Sequence, residues 1–209
     1  MHSVKLTHTT PEGEELIAYM ARVSNPANQN NTETSARLIK YLIKHKHWSP
    51  LEMVSMCVEI ETTRSIAQQI IRHRSFSFQE FSQRYANALD KPHINELRLQ
   101  DPKNRQNSIE GIHPIEQQHF EICLQHHYDQ GQLLYAEMLK AGVAKECARE
   151  VLPLSTPTRI YMHGNIRSWV HYCDLRCGNG TQKEHKIIAD QCKELLGVYY
   201  PNVYDAVWS

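Results

Sequence analysis

The chain has 209 residues, of which 41% are hydrophobic and 22% are charged, a composition typical of a globular protein rather than a disordered one. Lysine plus arginine and aspartate plus glutamate each total 23, so there is no net charge. A general nucleic-acid binder or membrane-surface binder would carry a basic surplus. We therefore expect neither nucleic acid nor membrane as a partner, and any recognition of anions must be local.

The cellular location is expected to be cytoplasmic. Residues 1–6 lack the apolar stretch of a secretory signal, and no apolar run approaches membrane-spanning length. The six cysteines are scattered without a C-x-x-C pair, which in such a chain is typical of reduced core thiols.

The first third of the chain predicts alternating strands and helices. A short strand is expected at residues 4–7, where apolar and polar side chains alternate. Apolar positions at helical spacing predict a helix that begins near residue 10 and a second helix over 34–46. Alternation over 53–62 predicts a half-buried, antiparallel strand, and a further helix follows from residue 62 or 63 to Arg72 or Arg74.

The segment 72–85 is the most unusual part of the sequence, because three arginines and a histidine follow directly on an apolar helix. Burying so many arginines beside a core segment is costly unless anions meet them. A helix C-terminus that favours basic residues would explain Arg72 and Arg74, but not the polar residues after them. The segment therefore predicts a site for an anionic ligand.

The second half of this segment is predicted to be a strand over Gln79–Tyr85. Its period of two would place Glu80, Ser82 and Arg84 together on one face. A helix end that leads into such a row of polar side chains would form a concave wall of hydrogen-bonding groups.

The rest of the chain is predicted to be mainly helical. Residues 86–114 lack a pattern and are expected to form a functional or a disordered loop. The elements expected after it are a long helix from Pro114 to about Ala141, a short helix over 144–150, a strand over 158–162, a helix capped by Asn165 that ends at Arg176, and a last helix capped by Thr181 and stopped by Pro201. We predict one domain over residues 1–209 with an α+β fold, a mostly antiparallel sheet flanked by helices, with a long-helix section.

Three kinds of chemistry fit parts of this sequence. A zinc hydrolase needs three or four ligands, but only His45 and His47 have ligand spacing, so no metal site is expected. A cysteine nucleophile needs an activating base or dipole, and none is evident. Binding of phosphorylated ligands by arginine forks fits the residues best.

The series Arg72-His73-Arg74, seven residues, then Ser82, resembles the signature of flavin-dependent thymidylate synthases. The likeness continues over about residues 1–200. The further matching segments are His47-Trp48-Ser49-Pro50-Leu51-Glu52, Gln69, Ser82-Gln83-Arg84-Tyr85, Ala148-Arg149-Glu150-Val151-Leu152-Pro153, Asn165-Ile166-Arg167 and Leu175-Arg176. The resemblance departs from the family pattern at Met53, where histidine is frequent, and at Ser75, where an aliphatic residue is frequent.

This resemblance implies reductive methylation of dUMP to dTMP by a homotetramer whose active sites are shared between subunits. Methylenetetrahydrofolate would supply the carbon, FAD would carry hydride, and NADPH would reduce the flavin. Direct delivery of hydride to the uracil needs no enzyme nucleophile, which agrees with the lack of an activated cysteine.

The resemblance also implies a role for individual residues. The FAD-binding set is Ser49, Arg72, His73, Arg74, Asn165, Ile166, Arg167 and His171, with Glu52 beside it; His171 stands where the family often has asparagine. The nucleotide-binding set is Gln69, Arg72, Glu80, Phe81, Ser82, Gln83, Arg84, Arg149 and Arg176. Arg176 would be catalytic, because a guanidinium at the uracil carbonyl stabilises developing negative charge. His47 is assigned to the folate or hydride step, and Ser82 to binding substrate rather than attacking it.

Two other functions are compatible with the sequence. A metal-dependent phosphohydrolase would use His45, His47, Glu52 and His73. A nucleic-acid-binding module would use the arginines of segment 72–85, although the zero net charge argues against it.

Overall fold

The computed structural model of the protein describes residues 1–88 and 90–209. Its strands are β1 (Ser3–Thr9), β2 (Ser55–Thr63), β3 (Ser77–Glu80), β4 (Leu99–Gln100), β5 (Ser108–Ile109) and β6 (Pro157–Asn165). Its helices are α1 (Gly13–Ala21), α2 (Ser35–Lys44), α3 (Arg64–Ile70), α4 (Pro114–Lys140), α5 (Lys145–Ala148), α6 (Ile166–Arg176), α7 (Lys183–Tyr199) and α8 (Pro201–Trp208). None of the helices in the described residues has the length and apolar content needed to cross a bilayer.

The main sheet has the strand order β1–β2–β6–β3, and all three pairings are antiparallel. This arrangement, flanked by helices, confirms the predicted α+β fold class. Alternation along β2 places Met56, Val58 and Ile60 in the core, where all three are fully buried. The opposite face, which we call the outer face, carries polar side chains, including Glu59 and Glu61.

The core lies between the inner face of this sheet and the helices packed on it, chiefly α3, α6 and α7. Trp169 of α6 is fully buried, and its indole N–H donates to the Met56 carbonyl at 2.9 Å, so the ring is hydrogen-bonded as well as packed. Burial of an aromatic side chain of this size contributes roughly 4–6 kcal/mol of transfer free energy. The interaction fixes α6 against β2 and thereby positions both ends of α6.

The arginine-rich segment begins with turns, not with the end of a helix. Helix α3 stops at Ile70, so the prediction that it reaches Arg72 or Arg74 is wrong. The His73 N–H bonds to the Ile70 carbonyl and the Phe76 N–H to the His73 carbonyl, which reverses the chain. Phe76 then packs on β6 so closely that a Cβ on Gly164 would lie 2.4 Å from its ring.

The predicted strand over Gln79–Tyr85 is wrong beyond Glu80. After the Phe81 N–H has bonded to β6, the Ser82 carbonyl accepts from the N–H groups of Tyr85 and Ala86, both at 3.1 Å. These bonds form a turn, so the polar residues after Glu80 do not continue a strand face.

The C-terminal region also differs from the prediction. Helix α7 begins at Lys183 with Gln182 at the capping position, so Thr181 is not its cap. Helix α7 does end before Pro201, at Tyr199, as predicted, but it is not the last helix. Pro201 occupies the first turn of α8, where proline's missing N–H costs nothing. The loop over 86–114 contains the short β4–β5 hairpin.

Candidate functional site

A cleft of about 850 Å³ lies beside the N-terminus of α6 and brings together part of the predicted flavin set. Asn165, Arg167 and His171 line it, together with Glu52 and Ser75. This volume falls within the range of cofactor and ligand sites in proteins. The cleft is therefore the candidate cofactor site, which we call the cofactor cleft.

The N-terminus of α6 gives this cleft its polar character. The Asn165 side chain caps the helix by accepting from the Ser168 N–H at 2.8 Å, as the sequence predicted. Arg167 is exposed and forms an ion pair with Glu52. A helix N-terminus and an arginine together favour an anionic group such as a phosphate.

Five of the eight predicted flavin residues do not line this cleft: the three of the turn at 72–74, Ser49 and Ile166. Ser49 is exposed at the start of a 3-10 turn and lines a separate depression with Tyr19 and Met53. The Ile166 side chain is fully buried, and its N–H bonds to the Val54 carbonyl at 3.0 Å.

Arg176 is held by His73 of the arginine-rich turn. The Arg176 Nε–H donates to His73 Nε2 at 2.9 Å, so His73 is a neutral acceptor. Burial, followed by the nearby Arg176 and then His171, lowers the pKa of His73 to about 4. Arg72 and Arg74 on either side of it are exposed, and neither forms an ion pair within residues 1–88 and 90–209.

Behind this pair lies a chain of hydrogen bonds, centred on a buried histidine, that the sequence did not predict. His185 is fully buried, and its Nδ1 lies 3.4 Å from Gln69 Oε1, an atom that can only accept. His185 therefore donates through Nδ1, and its Nε2 accepts from the Tyr172 hydroxyl at 3.1 Å. The Gln69 amide in turn donates to Gln182 Oε1 at 2.7 Å. The orientation of Gln69, a predicted nucleotide ligand, is fixed by these bonds.

One signal in the sequence could have revealed His185. It lies on the same face of α7 as Ile188, Ala189, Cys192 and Leu196, all of which are buried. A histidine on an apolar helix stripe needs hydrogen-bond partners in the core, although the sequence does not say which ones.

A second cleft, of about 660 Å³, lies at the end of β3 and carries another part of the predicted nucleotide set. Glu80, Phe81 and Ser82 line it, and the cleft contains none of the predicted flavin residues. Glu80 accepts from Arg64 at 3.3 Å and from the Thr158 hydroxyl at 3.0 Å, so its carboxylate is oriented by both. We call this the β3 cleft.

Two predicted phosphate-binding arginines meet at Glu146. Arg84 Nε donates to the Glu146 carboxylate at 3.1 Å, and Arg149 Nε donates to the Glu146 carbonyl at 3.3 Å. Gln83, which lies next to Arg84, is 4% exposed, and its Nε2 has no hydrogen-bond partner in the described part of the chain.

The ligand set of the alternative phosphohydrolase is not assembled. His45 and His47 are exposed, with ring centroids 6.1 Å apart. Within the described ranges, no group of three metal-binding side chains includes either of them, Glu52 or His73.

The fold and the clefts define an α+β protein in which a helix N-terminus and an arginine line one of two clefts. Residues 5–202 match the family described as Thymidylate synthase complementing protein. The chain is 50% identical over 208 residues to a probable flavin-dependent thymidylate synthase of Paramecium bursaria Chlorella virus 1, covering 98% of this chain and 96% of the relative. It is 48% identical over 198 residues to a flavin-dependent thymidylate synthase of Synechocystis sp. (strain ATCC 27184 / PCC 6803 / Kazusa), covering 95% and 90%.

A solved structure is similar over the whole fold. The UMP/dUMP methylase PolB from Streptomyces cacaoi, bound with 5-Br dUMP, superimposes with a TM-score of 0.87 at 25% identity, covering 99% of this chain and 94% of that one. The chain therefore belongs to the family of flavin-dependent thymidylate synthases, and the resemblance seen in the sequence is confirmed.

Proposed function

We propose that this protein catalyses the reductive methylation of dUMP to dTMP as a flavin-dependent thymidylate synthase. Membership of the family supports the reaction class, and dUMP is supported by the similarity to a UMP/dUMP methylase. The observation that carries the proposal is the placement of Arg176: it lies at the end of α6 and is held by a neutral His73 of the arginine-rich turn.

The cofactor is proposed to be FAD, held at the cofactor cleft by Asn165, Arg167 and His171. The exposed Arg72 and Arg74 of the turn do not line this cleft but precede Ser75, which does, and are proposed as further ligands. The cleft volume, the helix N-terminus and these cationic groups fit a ligand that carries phosphates. When bound, the flavin supplies the reducing equivalents of the reaction. NADPH as the source of those equivalents and methylenetetrahydrofolate as the carbon donor are part of the same proposal, with His47 assigned to the folate or hydride step.

The protein's own residues bind, orient and polarise the nucleotide. Arg84 and Arg149 are proposed to bind the phosphate, because a guanidinium donates paired hydrogen bonds to phosphate oxygens. Gln69, oriented by His185, bonds to the nucleotide. Arg176 donates to the uracil carbonyl and stabilises negative charge as it develops on the ring; one such donor typically contributes about 3–4 kcal/mol to catalysis.

The proposal includes no cysteine nucleophile. Burial raises the pKa of Cys57 and Cys192, which disfavours their thiolates. Cys177 is the one to test, because its hydrogen bond with Cys173 lowers its pKa and it directly follows Arg176. The Cys177→Ser variant should retain turnover; loss of dTMP formation by a folded, flavin-loaded Cys177→Ser protein would contradict the nucleophile-free reaction.

The experiment that tests the function is a visible absorption spectrum of the purified protein, recorded before and after NADPH and then dUMP, with dTMP measured after addition of the folate donor. We expect a bound flavin whose absorbance is bleached by NADPH, and dTMP as the product. A colourless protein that retains no added FAD and forms no dTMP would refute the proposal.

We also propose a homotetramer with shared active sites. The support is that the predicted flavin residues and Glu80, Phe81 and Ser82 line different clefts of one chain. Light scattering coupled to size exclusion tests this directly, and a fully active monomer would refute it. The assignment of residues 1–209 to one domain of this family and a cytoplasmic location stay predictions.

A further inference from the structure

Three strands place a cysteine and two histidines side by side on the outer face of the sheet. His8 of β1 is the register partner of Cys57 of β2, and Cys57 is the partner of His163 of β6. The register of β1 shifts between Leu6 and His8. At this bulge two residues of β1 lie opposite Cys57: His8 is its register partner, and the Thr7 side chain hydrogen-bonds to the Cys57 thiol.

The potential ligand atoms of these three side chains all lie within 4.8 Å of one another. The two imidazole rings are stacked, with centroids 5.6 Å apart and planes inclined by 27°. Around a tetrahedral zinc ion, bond lengths of about 2.0–2.3 Å place ligand atoms roughly 3.5 Å apart. Small rotations of the exposed His8 side chain would close this difference.

The rest of the outer face has a different character. Arg159 donates to Glu61 at 2.8 Å, and the Tyr161 hydroxyl donates to Glu59 at 2.6 Å, so these neighbours complement each other. His8, Cys57 and His163, by contrast, are three potential metal ligands that lie next to one another, with no oppositely charged partner among them. In the described part of the chain neither imidazole makes a hydrogen bond, so both rings have free nitrogen atoms.

We propose that His8, Cys57 and His163 form a Zn²⁺ site, with water as the fourth ligand. One thiolate and two neutral imidazoles are ligands that zinc prefers, and three protein ligands leave one position open. The sulfur is buried while His8 is exposed, so the ion can enter from solvent. On binding, the Cys57 thiol releases its proton to solvent and the thiolate forms the Zn–S bond.

None of the three residues of this site lines the cofactor cleft or the β3 cleft of this chain, although Tyr161, two residues before His163 on β6, lines the β3 cleft. The position of the site across three strands indicates a structural role, in which the ion links β1 to β2 and β6. The proposal does not depend on the proposed function. It revises the sequence-based expectation of no metal, because the ligands are far apart in the chain and only the strand register brings them together.

The test begins with the purified full-length protein, stripped with a chelator and then given one equivalent of Zn²⁺. X-ray absorption should show one sulfur at about 2.3 Å and nitrogen ligands at about 2.0–2.1 Å. A zinc shell without sulfur, or no retained zinc after removal of the excess, would overturn the proposal. This measurement needs no variant and therefore stands even if a substitution prevents folding.

Variants then identify the ligands. Cys57→Ser and His163→Ala should each weaken zinc binding by roughly 100-fold or more, measured by competition with a chromophoric chelator. The matched control is Cys123→Ser, which removes an exposed cysteine whose sulfur lies 3.8 Å from His119 Nε2. Undiminished zinc binding by a folded Cys57→Ser protein, or loss of zinc in the control alone, would contradict the assignment.

Discussion

The buried His185 is expected to make the protein lose stability on mild acidification. This side chain is 0% exposed and bonded as a neutral ring between Tyr172 and Gln69. Burial, followed by the positive charge of Arg176 and by His73, lowers its pKa from 6.5 to about 3. The neutral form is therefore favoured in the folded state far more than in the unfolded chain.

The magnitude follows from the linkage between protonation and folding. A lowered pKa means that this contribution is complete above pH 6.5 and is lost as the pH falls toward 3. Between pH 8 and pH 5 the unfolded chain takes up a proton at His185 and the folded chain does not. With RT of about 0.59 kcal/mol, this difference lowers the free energy of unfolding by about 2 kcal/mol.

The assay is urea unfolding at pH 8 and pH 5 at fixed protein concentration, because oligomerisation makes stability depend on concentration. The variant His185→Gln can still accept from Tyr172 but does not titrate. At pH 8 this variant should have a lower free energy of unfolding than the wild type. Between pH 8 and pH 5, its free energy of unfolding should fall by about 2 kcal/mol less than that of the wild type. His45→Gln, the same change at an exposed position, should keep the wild-type pH dependence. If the wild type and His185→Gln respond equally to pH, the reasoning is refuted.

Three further predictions concern arginines. Arg176→Ala should lower kcat about 100- to 1000-fold while FAD retention stays unchanged, since one charge-stabilising donor is lost; near-normal turnover would exclude its role at the uracil. Arg149→Ala should raise the KM for dUMP by roughly 10- to 100-fold, because a hydrogen bond to a charged phosphate is lost. The control is Arg105→Ala in the loop, and equal KM values in the two variants would contradict phosphate binding by Arg149. Arg98→Met should lower the free energy of unfolding, measured with urea, by about 3–5 kcal/mol, because it removes the buried charge partner of Glu184. The double variant Arg98→Met/Glu184→Met should recover much of that loss. A double variant no more stable than the single one would count against the ion pair.

Elements with strong local signals were predicted well from the sequence. Helix α4 begins at Pro114, as predicted, and ends at Lys140, one residue before the predicted end. Helix α6 begins after its Asn165 cap and ends at Arg176, as predicted. In both cases the residues that begin the helix act within one turn, so no information about the rest of the fold was needed.

The errors arose where a local pattern has two structural solutions. Alternation over Gln79–Tyr85 suggested a strand, but the Ser82 carbonyl finds its partners within the next four residues instead of on β6. Pro201 indicates the end of a helix, and α7 does end at Tyr199, but the same proline also occupies the first turn of a further helix, α8, which the pattern does not predict. Tertiary packing decides between these two structures, and a local sequence pattern carries no information about tertiary packing.

The sequence signature predicts residues of the candidate site, but it does not predict their mutual contacts. His73 and Arg176 were assigned to different ligands, and the structure brings them within hydrogen-bond distance. His185 was missed because its partners, Tyr172 and Gln69, come from two other helices. Pairings of this kind depend on helix packing, which short-range spacing cannot specify.

The arrangement of the arginine-rich segment gives a physical reason to expect shared active sites. Ser75, just before β3, lines the cofactor cleft, whereas Glu80 and Ser82, at its other end, line the β3 cleft. Four residues of extended strand alone cover about 13 Å. Reacting atoms must approach to about 3–3.5 Å, and Arg176, the proposed partner of the uracil, is held by His73 on the Ser75 side of β3 and does not line the β3 cleft. The proposed homotetramer accounts for this separation: Glu80 and Ser82 would complete the site of a neighbouring chain, so that one segment would serve two active sites.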